Sequence, residues 1–251
     1  AYSRQNPRLA LAFAAAFIGR GDFTVIGYFF SLWVTQVGIA EGLSAGQSLA
    51  RAGMLFGIIQ LAAVAWAFAM GMIMDRVNRV TGIALAFGLA TVGYAVLGQV
   101  GDPFAPSFLA IALLVGAGES SVIVAAGALL GQEARVEHRG PVVGFYSALG
   151  ACGILFATAV GGLLYDRIGP AAPFTMMAIL NAARQLLFRD GPRAFTVEAV
   201  AHAAGVSKVT VYARHGSREA LVHAVIGQLA QELSMAFDRR PGDATALRAS
   251  L

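Results

Sequence analysis

Apolar positions in this chain neither alternate nor gather into one stripe; they come in long, nearly unbroken runs. Five runs, at about 9–36, 52–74, 80–100, 107–131 and 141–165, each reach the roughly 20 residues an α-helix needs to cross a bilayer. Short polar links separate them. Gly and Ala recur in every run, which lets helix backbones approach closely where water supplies no driving force for packing. The pattern therefore predicts helices that are apolar all round and solvated by lipid. The opening "AYSRQNPRLALAFAAAF" has the charged front of a leader, but the apolar character continues far past a leader's length, which favours a first membrane span.

The links carry an orientation. Arg4 and Arg8 precede the first run, Arg76 and Arg79 follow the second, and Arg135 and Arg139 follow the fourth. The alternate links near 37–50 and 101–106 hold no Lys or Arg. Positive loops face the cytoplasm, so the chain is expected to enter from that side of the inner (plasma) membrane and cross it repeatedly.

Composition agrees with the pattern and adds a division. Charged residues make up 13% of the chain and mean hydropathy is +0.69, against about 25% charged in an ordinary soluble domain. Residues 1–180 hold nine Arg against eight Asp and Glu; the much shorter 181–251 holds eight Arg and one Lys against six acids. The tail is thus the polar, basic part. The single cysteine, Cys152, excludes an internal disulfide and a cysteine metal site, and its Gly/Ala surroundings predict a small buried filler. No catalytic triad, phosphate loop or metal cluster is legible. An enzyme, a cofactor and a bound metal are accordingly not expected.

Charges inside spans are costly and usually have a partner or a task. "FIGRGDF" puts Arg20 and Asp22 deep in the first run, and "GAGESS" puts Glu119 midway along the fourth. Glu119 is either a carboxyl that exchanges a proton along a solute pathway or half of a structural ion pair with Arg20. Gln60, in "GIIQLAA", can hydrogen-bond a solute or a neighbouring helix, with helix packing the simpler role.

The link "GMIMDRVNR", residues 71–79, is more specific. With Gly71, Asp75, Arg76 and Arg79 it resembles the loop motif of the major facilitator superfamily. There Gly71 would allow tight helix contact and Asp75 would pair with Arg or meet a helix N-terminus. "RGPVVGFYSALGACGILFATAVGGLLYDRIGPAAPF", residues 139–174, resembles a Gly-rich span pair of the same family. Residues 1–180 together resemble spans seven to eleven and the start of twelve. The resemblance implies secondary transport of a small solute, and partnership with the six-span half that is not in this sequence, or with a second copy.

From about Ile179 a different resemblance begins. "ILNAARQLLFRDGPRAFTVEAVAHAAGVSKVTVYARHGSREAL" is similar, in order and spacing, to the DNA-binding domain of TetR-family regulators. Thr196 can cap one helix, and Ser207 can cap the next, whose N-terminal end would enter a major groove. Lys208 and Thr210 would meet DNA there. Tyr212 and Arg218 resemble the family's phosphate contacts, with Ser217 capping a further helix. Val206 and Val211 belong to the small core.

The expected fold is therefore all-α: a polytopic transmembrane bundle of five full spans plus a truncated sixth, followed by a small helix-turn-helix domain. The divisions are 1–180 for the partial transporter, 181–237 for the DNA-binding unit and 238–251 for a disordered tail. At the seam, residues 170–183 would make only about 21 Å of helix, short of the ~30 Å hydrocarbon core. A segment used as a sixth span would also be withdrawn from the DNA-binding core. The expected partners are the lipid bilayer, a small solute and DNA through residues 196–218. The functional alternatives are a transporter, a membrane-tethered transcription regulator, and a fusion hybrid with neither activity.

Overall fold

Each apolar run folds as a helix, and each break between helices has a local cause. The computed structural model describes residues 7–190 and 196–215, and all regular structure among them is helical. Helix α1 (Pro7–Thr24) passes through a π-type widening at Val25–Phe30 into α2 (Ser31–Ala40), so that one long rod forms the first span. Helix α3 (Ala45–Arg76) starts at a capping box, in which Ser44 accepts from the Gln47 amide and Gln47 reaches back to the Ser44 amide. Helix α4 (Arg79–Leu97) is capped by Asn78, whose Oδ1 accepts from Val80 at 2.9 Å. Helices α5 (Phe108–Glu133) and α6 (Arg139–Ile168) complete five segments long and apolar enough to cross a membrane.

Four of the rods stand in a row, in the order α3, α5, α1, α6, and α4 packs behind α5. Glycine makes the tight crossings possible. A Cβ at Gly153 of α6 would overlap the Phe17 carbonyl of α1, and one at Gly118 of α5 would lie 2.7 Å from the Ala90 Cα of α4. The row's outer members are the least covered. In their most apolar stretches 17% of α3 and 22% of α6 is buried, against 61% of α5. Leu61, Phe68 and Leu155 consequently stand open, as lipid or another protein surface would permit. Cys152 is on this side too: it is exposed, contrary to the buried filler expected, because it lies on the outer face of α6.

The seam also differs from expectation. Helix α7 (Ala172–Asp190) continues without a break through the expected domain boundary and reaches 19 residues, about 28 Å, the same length as α4. It lies antiparallel along α4. Thr175 sits beside Gly98 at one end, and Gln185 and Arg189 lie near Gly88 and Asn78 at the other. Its polar residues keep it from being a span by composition alone, yet Met176 to Arg184 are all buried within the bundle. The sixth helix is therefore longer than expected, although it is not among the five segments apolar enough to cross a membrane.

Two short helices follow, α8 (Val197–Ala203) and α9 (Lys208–His215). Between them Gly205 adopts φ +65°, the left-handed region that a side chain would disfavour. Val197, Val200, Ala201, Ala204 and Val211 are buried and continuous with the core of the bundle through α7. Helix α7 thus does double duty: it packs on α4 and also on α8.

Candidate functional site

The bundle interior holds polar side chains from α1, α3, α4, α5 and α7. Asp22 projects from α1 and is fully buried. Asn181 of α7, also fully buried, donates from Nδ2 to Asp22 Oδ1 at 3.0 Å and to Oδ2 at 3.3 Å. The same amide nitrogen donates to the Met177 carbonyl one turn back, at 2.9 Å. Tyr94 of α4 donates its hydroxyl to the Asp22 backbone carbonyl at 2.9 Å. The backbone and the carboxylate of Asp22 are therefore held by two helices from the rear layer.

Glu119 of α5 is the second buried carboxyl, 2% exposed. Gln60 faces it from α3, although the Gln60 Nε2 and the Glu119 Oε2 are each left without a hydrogen bond of regular geometry. Trp66 of α3 donates from Nε1 to the Ser121 hydroxyl at 2.8 Å, fastening α3 to α5 two residues past Glu119. Asp22, Tyr94 and Glu119 lie within electrostatic reach of one another. Two carboxyl groups thus share a buried interior in which neither meets a basic side chain among the described residues. Such a pair is costly as two anions, and its members are suited to taking up and releasing a proton.

Arg20 does not belong to this constellation. The expected ion pair with Glu119 is absent: Arg20 is exposed, its stem lies over Gly150 of α6, and it is within electrostatic reach of Tyr146. Positions two apart on a helix project in nearly opposite directions. The rotation that buries Asp22 therefore turns Arg20 outward, into the row's open front. Gly71 likewise departs from expectation, since nothing lies within 4 Å of where its Cβ would stand. The tight contact is made by other glycines.

The rest of the 71–79 loop is ordered. Asp75 pairs with Arg79 at 3.6 Å, and the Arg79 guanidinium also caps the Met74 carbonyl that ends α3. Arg76 is exposed in the last turn of α3, where a cation suits the helix dipole. Arg8 meets Glu133 at 3.5 Å on the same end of the bundle, tying the start of α1 to the finish of α5.

In the tail, Thr196 Oγ1 accepts from Ala199 at 3.1 Å and Ser207 Oγ from Thr210 at 3.1 Å, both as caps. The Ser207 and Thr210 hydroxyls also share a hydrogen bond at 2.9 Å. Lys208 is engaged by Glu198 at 2.7 Å, and this bond holds the Glu198 carboxyl below the usual glutamate range. Tyr212 is half exposed, Val211 is buried and Val206 is half buried. Ser217 and Arg218 lie outside the described residues. Asn181 and Tyr94 were not singled out from the sequence. An Asn that closes the apolar stretch Phe174–Leu180 was the available signal for the first.

Comparison with known proteins places these helices in context. The Major Facilitator Superfamily model matches residues 12–228, a range that includes α7, α8 and α9. The magnetosome protein MamH of Paramagnetospirillum magneticum is 30% identical over 182 residues, which is 71% of this chain and 41% of that protein. The magnetosome protein MamZ of Magnetospirillum gryphiswaldense is 33% identical over 172 residues, covering 68% of this chain and 26% of the relative. MamZ of Paramagnetospirillum magneticum is 32% identical, over 68% of this chain and 27% of its own length. The chain thus spans well under half the length of these relatives.

Proposed function

The chain belongs to the major facilitator superfamily, and on that premise we propose that residues 7–190 act as one half of a proton-coupled secondary transporter for a small solute. The observation that carries the reading is the pair of buried carboxyls, Asp22 and Glu119, set in a six-helix bundle with no basic partner. Protonation of Glu119 removes a charge from a site that cannot solvate it. Loss of that proton restores a charge that helix rearrangement must accommodate. A proton gradient can therefore bias one arrangement of the rods over another.

The open faces of α3 and α6 are where a second six-helix half would sit, and Arg20 at the front is then available to the solute path between halves. In the proposed orientation the basic end, with Arg76, Arg79, Arg135 and Arg139, faces the cytoplasm of an inner membrane. The sixth crossing by α7 returns the tail to that same side.

The test uses proteoliposomes of the full chain, alone and with a preceding six-span half, screened for solute-induced changes of internal pH. Uptake whose pH dependence is unchanged in Glu119→Gln rejects the proton-carrier role.

A second reading is supported by the caps at Thr196 and Ser207 and the turn at Gly205: residues 196–218 form a DNA-reading element of TetR type, so that the bundle anchors a regulator. Lys208, Thr210 and Tyr212 would contact the duplex, with Ser217 and Arg218 adding phosphate contacts. Salt-sensitive retardation of a palindromic duplex, lost in Tyr212→Ala and Arg218→Ala, is the expected result. Absence of binding at low salt removes this reading and leaves a hybrid in which the tail is silent.

A further inference from the structure

Among the described residues, Arg20 is the exposed charge lying farthest from the ends of an apolar segment. It is the tenth residue of the 30-residue stretch Leu11–Ala40, about 14 Å along it. A hydrocarbon core of roughly 30 Å centred on that stretch begins about 8 Å from the same end. Arginines at such depth face a bundle interior or a water-filled cavity, and they seek an acceptor there.

The bundle supplies no anion for it. Asp22 is turned to the other side of α1 and bonded by Asn181, Glu119 is buried on α5, and Arg20 is not among the groups that influence either carboxyl. What lies beside Arg20 is α6. A Cβ at Gly150 would stand 2.8 Å from the Arg20 Cγ, so the glycine leaves a groove for the stem. Tyr146, one turn before Gly150 on the same face, is half buried and within electrostatic reach of the guanidinium. Among the described residues no hydrogen bond engages the Arg20 guanidinium or the Tyr146 hydroxyl. Two donors from two rods thus meet on the open front without an acceptor.

We propose that the solute is an oxyanion, a carboxylate or phosphate, held at the front of the row by the Arg20 guanidinium with the Tyr146 hydroxyl as second donor. This deepens the transport reading and rests on it. A guanidinium presents a rigid fork that matches the paired oxygens of carboxylate and phosphate. The phenol adds a donor without adding charge. A cation is repelled by Arg20 at a depth where little water weakens the repulsion. Solute and proton are thereby kept on opposite sides of α1, the anion at Arg20 and the proton at the buried carboxyls. A monovalent anion that enters with one proton moves no net charge across the bilayer.

The full chain, with a preceding six-span half, is placed in phosphatidylcholine nanodiscs and treated with the arginine reagent p-hydroxyphenylglyoxal. Modification is read residue by residue from peptide masses, with Arg76, exposed at the end of α3, as internal reference. Arg20 should react, and inorganic phosphate or succinate should protect it while leaving Arg76 unprotected. Choline and glucose should protect neither. Tyr146→Phe should raise the half-protecting concentration about tenfold. In proteoliposomes Arg20→Gln should lose the anion-induced change of internal pH, and Arg20→Lys, which keeps the charge without the fork, should retain part of it. An Arg20 that stays unmodified while Arg76 reacts overturns the assignment, as does one that neither anion protects. Protection by phosphatidylglycerol in the disc, with no soluble anion present, would identify a lipid headgroup as the ligand and overturn it too. Protection by soluble anions without any anion-induced pH change counts against the transport reading alone. Proton-coupled uptake of choline or glucose with Arg20 unprotected counts against the anion assignment alone.

Discussion

Asn181 and Asp22 are 159 positions apart in the chain, yet the amide of the first lies 3.0 Å from the carboxylate of the second, and no water-exposed surface touches either. The bond joins α1 to α7 and closes the bundle across its interior. Removing only the donor leaves a buried carboxyl without compensation, which costs more than removing both groups. Asn181→Leu should therefore destabilise the bundle by about 2 kcal/mol. The double variant Asp22→Leu/Asn181→Leu should lose less than the sum of its single changes. Thermal unfolding in mild detergent reads both, and strictly additive losses would show that the two residues do not depend on each other.

Glycine contacts give a second pair of expectations that differ in sign of effect from what the loop motif alone suggests. Gly153→Ala drives a methyl into the Phe17 carbonyl, so α1 and α6 must separate, at a cost on the order of 1–3 kcal/mol. Gly71→Ala meets open space on a helix and should be neutral or slightly stabilising, because alanine is the better helix former. A melting temperature that falls for Gly71→Ala and not for Gly153→Ala would contradict the packing described.

Much of this architecture could be read from the chain before any coordinates. The five apolar runs became helices at nearly the expected places, because length and polarity alone decide whether a segment suits lipid. The caps at Thr196 and Ser207 were legible for a similar reason: a cap is a local bond that needs no distant partner. What could not be read was rotation. A helix that is apolar all round carries no stripe to say which side faces its neighbours. Hence the spacing put Arg20 and Asp22 on opposite faces without telling which of them faces the interior, and the Gly71 contact was misplaced. Asn181 was hidden differently, since its stretch reads as the start of the polar tail while the fold buries it in the bundle.

Sidedness follows from the course of α7. On the proposed six-crossing topology, Gly42 lies on one side of the membrane, and Glu137 and Ser207 on the other. In a Cys152→Ala background, Gly42→Cys should react with a membrane-impermeant thiol reagent in intact cells. Glu137→Cys and Ser207→Cys should react only after permeabilisation. Labelling of Ser207→Cys together with Gly42→Cys would mean that α7 does not cross.

Acid should loosen the join between α8 and α9. The hydrogen bond from Lys208 holds the Glu198 carboxyl below its ordinary range. A group whose folded-state value is lowered contributes stability above its unfolded value and loses that contribution as pH falls through the folded one. The contribution is therefore complete near neutrality and declines below the ordinary glutamate range. Both side chains are more than half exposed, so the effect is small and screened by salt. Carbon-13 NMR of the Glu198 carboxyl should show its titration midpoint rise in Lys208→Ala; an unchanged midpoint would dissolve the assigned bond.

The open front of the row yields the last expectation. Phe68 and Leu155 are 75% and 69% exposed, and Cys152 lies one turn before Leu155 on the same face of α6. When the chain is alone in the membrane, this face can be covered by lipid or by a second copy. When a complementary six-span half is present, it should be covered by that half. Mild oxidation of the isolated chain in nanodiscs large enough for two copies should then give a Cys152-linked dimer, weakened by Leu155→Arg, which sets a like charge on each face. Co-expression with the complementary half should suppress the dimer and protect Cys152 from thiol reagents. If Cys152 reacts at the same rate with and without that half, the α6 face is lipid-facing and the two halves must meet elsewhere.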